Sequence, residues 1–457
     1  PDLTAAAPRR EVPLTGADCF LRAFDAETRR TNGASHLSQL VLRLGPGLDP
    51  ARLRDVLHEV ARANPIVRAP VLRRFGMAEP VYRIDRAAQA PLPELSVHAG
   101  ELPSHFDGPV EGAPLPAVFC QRLNEPFDAR RGRLLHADVV EYDGGRRGSD
   151  LALTWVHMLL DGSGSENFVR HLALVGDGKR SADALPEDEW SLPRVDGTAG
   201  ERGEKARAWQ SVVEGFAARP PRSLAGPKKR TRQDLTYPLY TLAPETTELV
   251  VERAKARAGF LTPVLFYLAC AIRAHHAVFE RRNAVPPSYV VPLPVNLRPN
   301  GAEGAIFRTR VSMMWFQVFP EQAGDLDGLV NELKQQRRHM MKSGAVENGV
   351  AAMDFARFAP ARMYATMARR NFKGELCSFF FAFTGEFLPE LTSLLGAPIL
   401  NGFHTPSVPA SPGSGAIMSL REGRLNLAHV HQRGVFSEDE LALFRDRIFA
   451  DLAGEPA

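Results

Sequence analysis

The stretch Leu151-Ala-Leu-Thr-Trp-Val-His157-Met-Leu-Leu-Asp161-Gly162-Ser-Gly164 sets a polar pair into the most apolar strand-like run of the N-terminal half. Leu151 to Leu160 has the length and the Leu/Val/Trp content of a buried strand, and the Asp-Gly-Ser-Gly that follows is a breaker cluster. Burial favours the neutral form of an imidazole, and a neutral ring with one free nitrogen is what a general base at neutral pH requires. The competing reading is a core histidine that only bonds a backbone carbonyl. An Asp four residues on, with a Gly directly after it, weighs against that reading.

Working outward, residues 125–140 turn into a strand that Gly144-Gly145 joins to the quoted one, so His157 is expected on an antiparallel hairpin. Helical spacing over 166–175 then places it where a strand gives way to a loop and helix, a position where side chains commonly face a cleft. Upstream, an extended entry leads at Thr15 into a short helix, and 36–44 reads as a strand. An amphipathic helix follows to Ala63, with Asp49 as N-cap and Pro50 at its first position. Strand-like runs are expected at 66–72 and 81–84. Residues 181–235, rich in Pro, Gly and charge around a helical segment at 204–218, read as a crossover linker between residues 1–180 and 236–457.

Beyond the linker the alternation resumes. Helices are expected at 244–258, from a Thr262-Pro263 cap to about 282, at 325–341, at 353–370, and from about 437 to 452. Extended or strand-like segments fall at 289–298, 310–319, 378–383, 415–419 and 425–431.

With 457 residues, 44% hydrophobic and 24% charged, the chain is long enough for two core-bearing subdomains of mixed α/β character. The net charge of +3 demands neither nucleic acid nor an anionic membrane. The short run Lys228-Lys229-Arg230-Thr-Arg232 reads as a solvated loop, with docking of an acidic carrier protein or a phosphate as its functional alternative. Cys19, Cys120, Cys270 and Cys377 lie far apart, so neither a metal site nor a disulfide framework is expected. No run has transmembrane length and Pro1–Arg10 lacks a signal peptide's apolar core, which makes a cytoplasmic enzyme the default.

His-x-x-x-Asp-Gly in this context resembles the chloramphenicol-acetyltransferase-like superfamily, which includes condensation domains, plant BAHD acyltransferases and wax ester synthase/diacylglycerol acyltransferases. Val12-Pro-Leu-Thr-Gly-Ala-Asp18 is similar to the opening of these enzymes, as are Ala63-Asn-Pro-Ile-Val-Arg68 and Pro126-Phe-Asp-Ala-Arg-Arg-Gly-Arg-Leu-Leu135 to later steps. Pro292-Leu-Pro-Val-Asn296-Leu-Arg298-Pro resembles a run of the wax ester synthase-like branch, and Gly423-Arg-Leu-Asn-Leu427 with the final helix the common ending. It is the order of these short motifs, over most of the chain, that carries the resemblance.

The resemblance implies two acetyltransferase-like subdomains with a tunnel at their interface. It implies His157 as the base that deprotonates an alcohol or amine acceptor attacking an acyl thioester on coenzyme A or on the phosphopantetheine of an acyl carrier protein. No metal and no tightly bound cofactor are implied. Asp161 would be structural, held by an Arg, with Arg298 the candidate and Arg308 the alternative. Gly162 and Gly164 would allow a tight exit. Thr384 and Ser378 are candidate donors to the oxyanion, each competing with a plain turn or strand-end role.

Departures from the family pattern leave the branch open. Val156 stands where many relatives have a first His, the plant Asp-Phe-Gly-Trp-Gly signature is absent, and an Asn-Val-Pro-Gly-Pro run is only echoed at Ala382–Glu386. His275-His276 reads as structural, and Phe379, Phe380, Phe381 and Phe383 read as core in preference to an acyl pocket. Two rivals remain: a condensation-like amide or ester former acting on carrier-bound intermediates, and a catalytically silent recruitment platform of the same fold.

Overall fold

In a computed structural model, residues 10–73, 76, 78–101, 115–191, 195–226, 232–299 and 304–454 are described. Lys228, Lys229 and Arg230 of the basic run lie outside these residues.

The quoted stretch forms the centre of a six-stranded sheet. Its strand, Ser149–Val156, is buried at every position and pairs antiparallel with Leu37–Leu44 on one side and Leu135–Tyr142 on the other. Glu94–Gly100 continues the sheet in parallel beyond Leu135–Tyr142. Being covered on both faces is why this strand reads as a continuous apolar run instead of an alternating one. It is shorter than expected: the ladder ends at Val156, and His157 to Leu159 form a turn before helix Gly162–Gly176.

On the far side of Leu37–Leu44 lies Ala397–His404, a strand from the other half of the sequence, itself paired with Ser393–Leu394. The chain thus carries a strand back across the division expected at 235. A second sheet holds Phe380–Glu386, Ser414–Arg421 and Arg424–Gln432, edged by Leu235–Thr236 and Leu239–Thr241. Tyr289–Asn296 and Val311–Val318 form an antiparallel hairpin. Each half has its own core. One gathers around Leu40, Trp155, Val169 and Leu57, and the other around Phe266, Ile272, Phe316 and Phe444. Together they make a mixed α/β molecule of two subdomains.

Local chemistry explains where elements begin and end. Asp49 accepts the Ala51 N–H at 2.9 Å and Pro50 opens helix Pro50–Ala63, which Asn64-Pro65 stops. A Thr15/Asp18 capping box starts helix Gly16–Thr31, longer than the short helix expected. Pro360 splits the helix expected over 353–370 into Ala345–Ala356 and Ala361–Arg370. Thr262 does not cap the helix Val264–Arg281, because its hydroxyl donates back to Ala258 C=O at 2.6 Å. Pro65–Arg68 is a 3-10 turn, so the strand expected from 66 shrinks to Val71–Arg73. In the expected linker, helix Ala199–Phe216 packs on Ala345–Ala356, with Trp209 and Trp315 ring centroids 6.0 Å apart.

All four cysteines are free. Among the described residues no cluster of His, Cys, Asp and Glu is placed to hold a metal ion, and no helix is long and apolar enough to cross a membrane.

Candidate active site

His157 is the first residue past the central strand, and its backbone N–H still donates to His36 C=O at 3.1 Å. Its Nδ1 lies 3.4 Å from the carbonyl of Leu160, which also accepts the Trp155 indole N–H at 2.7 Å. A carbonyl can only accept, so Nδ1 carries the proton and Nε2 keeps its lone pair. Burial pushes the pKa of His157 below its ordinary value, partly offset by the Leu160 bond and the Asp161 charge. The His36 ring stacks on it, centroids 5.2 Å apart and planes 25° apart, and His36 is itself anchored by Asp25 Oδ1 at 2.9 Å from its N–H.

Asp161 works on the loop. Its Oδ1 accepts the Gly164 N–H at 2.8 Å, which makes it the N-cap of helix Gly162–Gly176. Its Oδ2 accepts Arg298 Nη1 at 2.8 Å and the Arg310 N–H at 2.8 Å. Burial pushes this carboxyl up, but the Arg298 charge and these bonds outweigh it and leave the pKa below the usual value. Of the two candidate arginines it is therefore Arg298 that meets Asp161. Arg308 instead gives Nη2 to the carbonyls of Glu189 and Ser191, at 2.9 and 3.0 Å.

Arg308 belongs to a clasp that sequence reading missed. The backbone N–H groups of five consecutive residues, Ile306 to Arg310, all find acceptors on or beside the His157 loop. Ile306 and Phe307 donate to the Glu189 carboxylate at 2.6 and 3.0 Å, and Arg308 to Leu159 C=O at 2.7 Å. Thr309 donates to Asp18 at 2.7 Å and Arg310 to Asp161. Arg308 sits at φ 67°, a left-handed conformation that a long side chain tolerates only where the surroundings hold it. Gly164 is needed for close approach, since a Cβ there would lie 2.3 Å from Ile306 O and 2.9 Å from Arg298 Nη2. Neither Gly162 nor Gly164 has a positive φ, so the expected tight exit rests on close approach at Gly164, while Gly162 has room for a Cβ.

Gly162 lies against two polar side chains. A Cβ on it would lie 3.8 Å from Thr384 Cγ2 and 3.9 Å from His404 Cε1. The strand Phe380–Glu386 bulges after Phe383, where Gly385 has φ 77°, and this irregularity re-aims Thr384. Thr384 Oγ1 is buried and has no partner. His404 ends the strand that crosses between the halves, and no motif marked it in the sequence. Its Nε2 is 3.1 Å from Ser165 Oγ, whose own proton goes to Gly162 C=O at 2.7 Å. Ser165 must then accept from Nε2, which leaves His404 Nδ1 as a buried, unpartnered acceptor.

The other candidate donor is used elsewhere. Ser378 Oγ accepts the Val290 N–H at 3.1 Å while its own N–H goes to Val290 C=O at 2.8 Å, stitching the hairpin to the second sheet. His275 bonds Ala271 C=O and Ser414, and His276 bonds the Tyr289 hydroxyl, so both are structural. The Phe cluster divides by strand alternation. Phe379 and Phe381 enter the second core, whereas Phe380 faces an apolar cavity of about 790 Å³ together with Phe24, Trp315 and Met353. Phe24 is edge-on to His36 at 5.5 Å, which sets this cavity one ring behind the His36–His157 stack.

The fold of the chain recurs in solved structures. The first condensation domain of the calcium-dependent antibiotic synthetase, in complex with a substrate analogue, superposes with a TM-score of 0.67 at 17% identity, over 98% of this chain and 97% of that one. The chain has the chloramphenicol-acetyltransferase-like fold. Trichothecene 15-O-acetyltransferase from Fusarium sporotrichioides gives a TM-score of 0.67 at 12% identity, over 99% and 96% of the two chains. The starter condensation domain of rhizomide synthetase, a mutant solved with C8-CoA and Leu-SNAC, gives 0.63 at 12% identity, over 97% and 94%. No family model and no curated sequence matches the chain.

Proposed function

We propose that the protein is an acyltransferase that moves an acyl group from a coenzyme A or carrier-protein thioester to a hydroxyl or amine. The observation that carries this reading is the tautomer of His157. Nδ1–H is committed to Leu160 C=O and a neutral ring offers Nε2 as base, at the end of a strand fixed by the buried Asp161–Arg298 pair. The acceptor's proton passes to Nε2 as its oxygen or nitrogen attacks the thioester carbon. Collapse of the tetrahedral intermediate expels the thiolate, to which the imidazolium returns the proton. Thr384 Oγ1, buried without a partner near Gly162, is the donor proposed for the oxyanion. The apolar cavity behind His36 offers room for a hydrophobic acyl or acceptor group.

The fold neighbours support two versions of the same chemistry, because one is named for O-acetyl transfer and another was solved with an acyl-CoA and an aminoacyl thioester mimic. The test is mass spectrometry of the purified protein incubated with a panel of acyl thioesters and alcohol or amine acceptors. An acylated product that His157→Ala fails to form is expected. Absence of product from every CoA and carrier-bound donor overturns the reading, and product from carrier-bound donors alone selects the condensation-like version.

A further inference from the structure

Three consecutive carbonyls lead from the base into its helix, and each has its own donor. Leu160 C=O accepts Nδ1–H of His157 and, from the strand side, the Trp155 indole N–H. Asp161 C=O accepts the Ser165 N–H at 2.8 Å, and Gly162 C=O accepts the Ser165 hydroxyl at 2.7 Å. Ser165 therefore grips the two carbonyls that follow the one on which the His157 tautomer depends. Ser165 is itself held from the other half of the chain, by His404 Nε2 at 3.1 Å.

His404 is mounted rigidly. It closes the strand Ala397–His404 in register with Leu40 of the neighbouring strand. Directly after it, the Thr405 N–H donates to Gln39 C=O at 2.9 Å. The Ser407 N–H donates to Leu37 C=O at 2.8 Å, while Ser407 Oγ accepts the Leu37 N–H at 3.2 Å. Leu37 follows His36, whose ring stacks on His157, so the crossing strand and its continuation brace the base both beside His36 and through Ser165. The His404 ring is buried and stands edge-on to Phe387, centroids 5.0 Å apart. Burial, and after it the charge of His157, pushes its pKa down to about 4, partly offset by Asp161 and the Gly162 carbonyl. The ring is then neutral near pH 7, with its proton on the nitrogen that meets Ser165.

We propose that His404 is a positioning residue for the general base: by donating to Ser165 it fixes the carbonyls of Asp161 and Gly162, so that the second half of the chain sets how His157 is held. A support of this kind contributes more to rate than to folding, because a reacting group displaced by a fraction of an ångström loses its alignment. The consequence for turnover rests on the acyl-transfer reading, whereas the hold on the imidazole does not.

Nitrogen NMR of the full chain labelled at histidine reads that hold without turnover. The His157 signals, identified by their loss in His157→Ala, are expected to show a neutral ring protonated at Nδ1 at pH 7. In His404→Phe, which keeps a ring and removes the donor, the other tautomer should appear and the titration midpoint should rise toward 6.5. His404→Gln, whose amide nitrogen can take the place of Nε2, should restore the wild-type pattern. In turnover, His404→Phe should lower kcat by about tenfold with KM nearly unchanged, the worth of one hydrogen bond, and His404→Gln should recover most of it. Ser165→Ala, which leaves the ring untouched, should lose as much as His404→Phe, and the double variant no more than either, since the two act in one chain of bonds. Wild-type His157 signals or wild-type kcat in His404→Phe overturn the proposal. So do a Gln variant that behaves like the Phe variant and a double variant whose losses multiply. Absence of turnover with every donor overturns the acyl-transfer reading instead, and the NMR signals then decide the role of His404 alone.

Discussion

Each half of the molecule buries a group of three histidines, and the two groups are built alike. In one, His157 stacks on His36 at 5.2 Å and His404 stands nearby across Gly162. In the other, His429 stacks on His431 at 5.1 Å beside His275. Desolvation pushes all six below the ordinary imidazole value. What differs is the surroundings. The second group is enclosed by Phe379, Phe436 and Phe444, with His429 lying flat on Phe444 at 4.1 Å. His275 has both nitrogens occupied and His431 bonds Thr236. In the first group His157 meets the backbone of its own turn, and the neighbours Met158 and Phe24 each line a cavity. Buried ring nitrogens without a partner among the described residues occur in both groups, on His36 and His404 here and on His429 there. A perturbed histidine therefore does not mark a site by itself; what sets His157 apart is a tautomer defined by the backbone of a capped turn instead of an aromatic enclosure.

The largest contrast between the groups is expected from truncating one member of each. His157→Ala should lower kcat by about 10²–10⁴-fold, the usual worth of a general base, with a small change in melting temperature. His275→Ala should leave kcat/KM near wild type while costing about 2–4 kcal/mol, since it opens a cavity beneath Phe379 and strands Ser414. Enzyme assays and denaturant melts of the two variants read this directly. An inactive but fully stable His275→Ala would erase the distinction.

Next in size is Asp161→Asn. The neutral amide keeps the shape but leaves the Arg298 guanidinium buried without its counter-charge, for an expected loss of about 3–5 kcal/mol. Activity should fall along with stability, because the same carboxylate caps the helix and holds Arg310. If the variant melted like wild type, Asp161 would be a participant in the chemistry and not an anchor for the loop. Gly164→Ala follows at about 1–3 kcal/mol, as its methyl must push the Ile306 carbonyl out of the clasp. Unchanged stability there would mean that the five-residue clasp yields easily.

The sequence made some of this legible and hid the rest for identifiable reasons. Helix Pro50–Ala63 could be read because its cap, its first proline and its stop are all local. The loop geometry could be read because His157, Asp161 and Gly162 lie within one turn of chain. Strand Ala397–His404 was not assigned, since Ala-Pro-Ile-Leu-Asn-Gly-Phe-His has weak strand propensity and its partner, Leu37–Leu44, is far away in sequence. His404 went unnoticed with it, because a lone histidine acquires meaning only through what it faces. The clasp over 306–310 was equally silent: its bonds are made by backbone N–H groups, which every sequence has. Arg298 was the candidate over Arg308, and the two flank the same connection between strands Tyr289–Asn296 and Val311–Val318; what sequence could not give is the left-handed backbone at Arg308, whose side chain goes to Glu189.

The smallest effect tests the two groups through pH. His157 has a folded pKa below 6.5, so its base form persists below the pH at which an exposed histidine would be half protonated. The rate constant kcat/KM should accordingly keep its plateau to lower pH than an exposed histidine would allow, then fall, approaching tenfold per unit under the folded pKa. The sign follows from burial, which disfavours the imidazolium; an attractive charge strong enough to dominate would move the limb the other way. Asp161 is the nearest such charge, and its pairing with Arg298 is what keeps it from doing so. In His275→Ala the limb should stay where it is in wild type, because His275 lies in the other group and shares no partner with His157. A pH profile of the two proteins, measured with a donor and acceptor that do not ionise between 5 and 8 on an order-of-magnitude window around the imidazole value, decides it. A limb above 6.5 in wild type would show that water reaches the imidazolium freely and that the ring is not desolvated as its place behind Val156 requires.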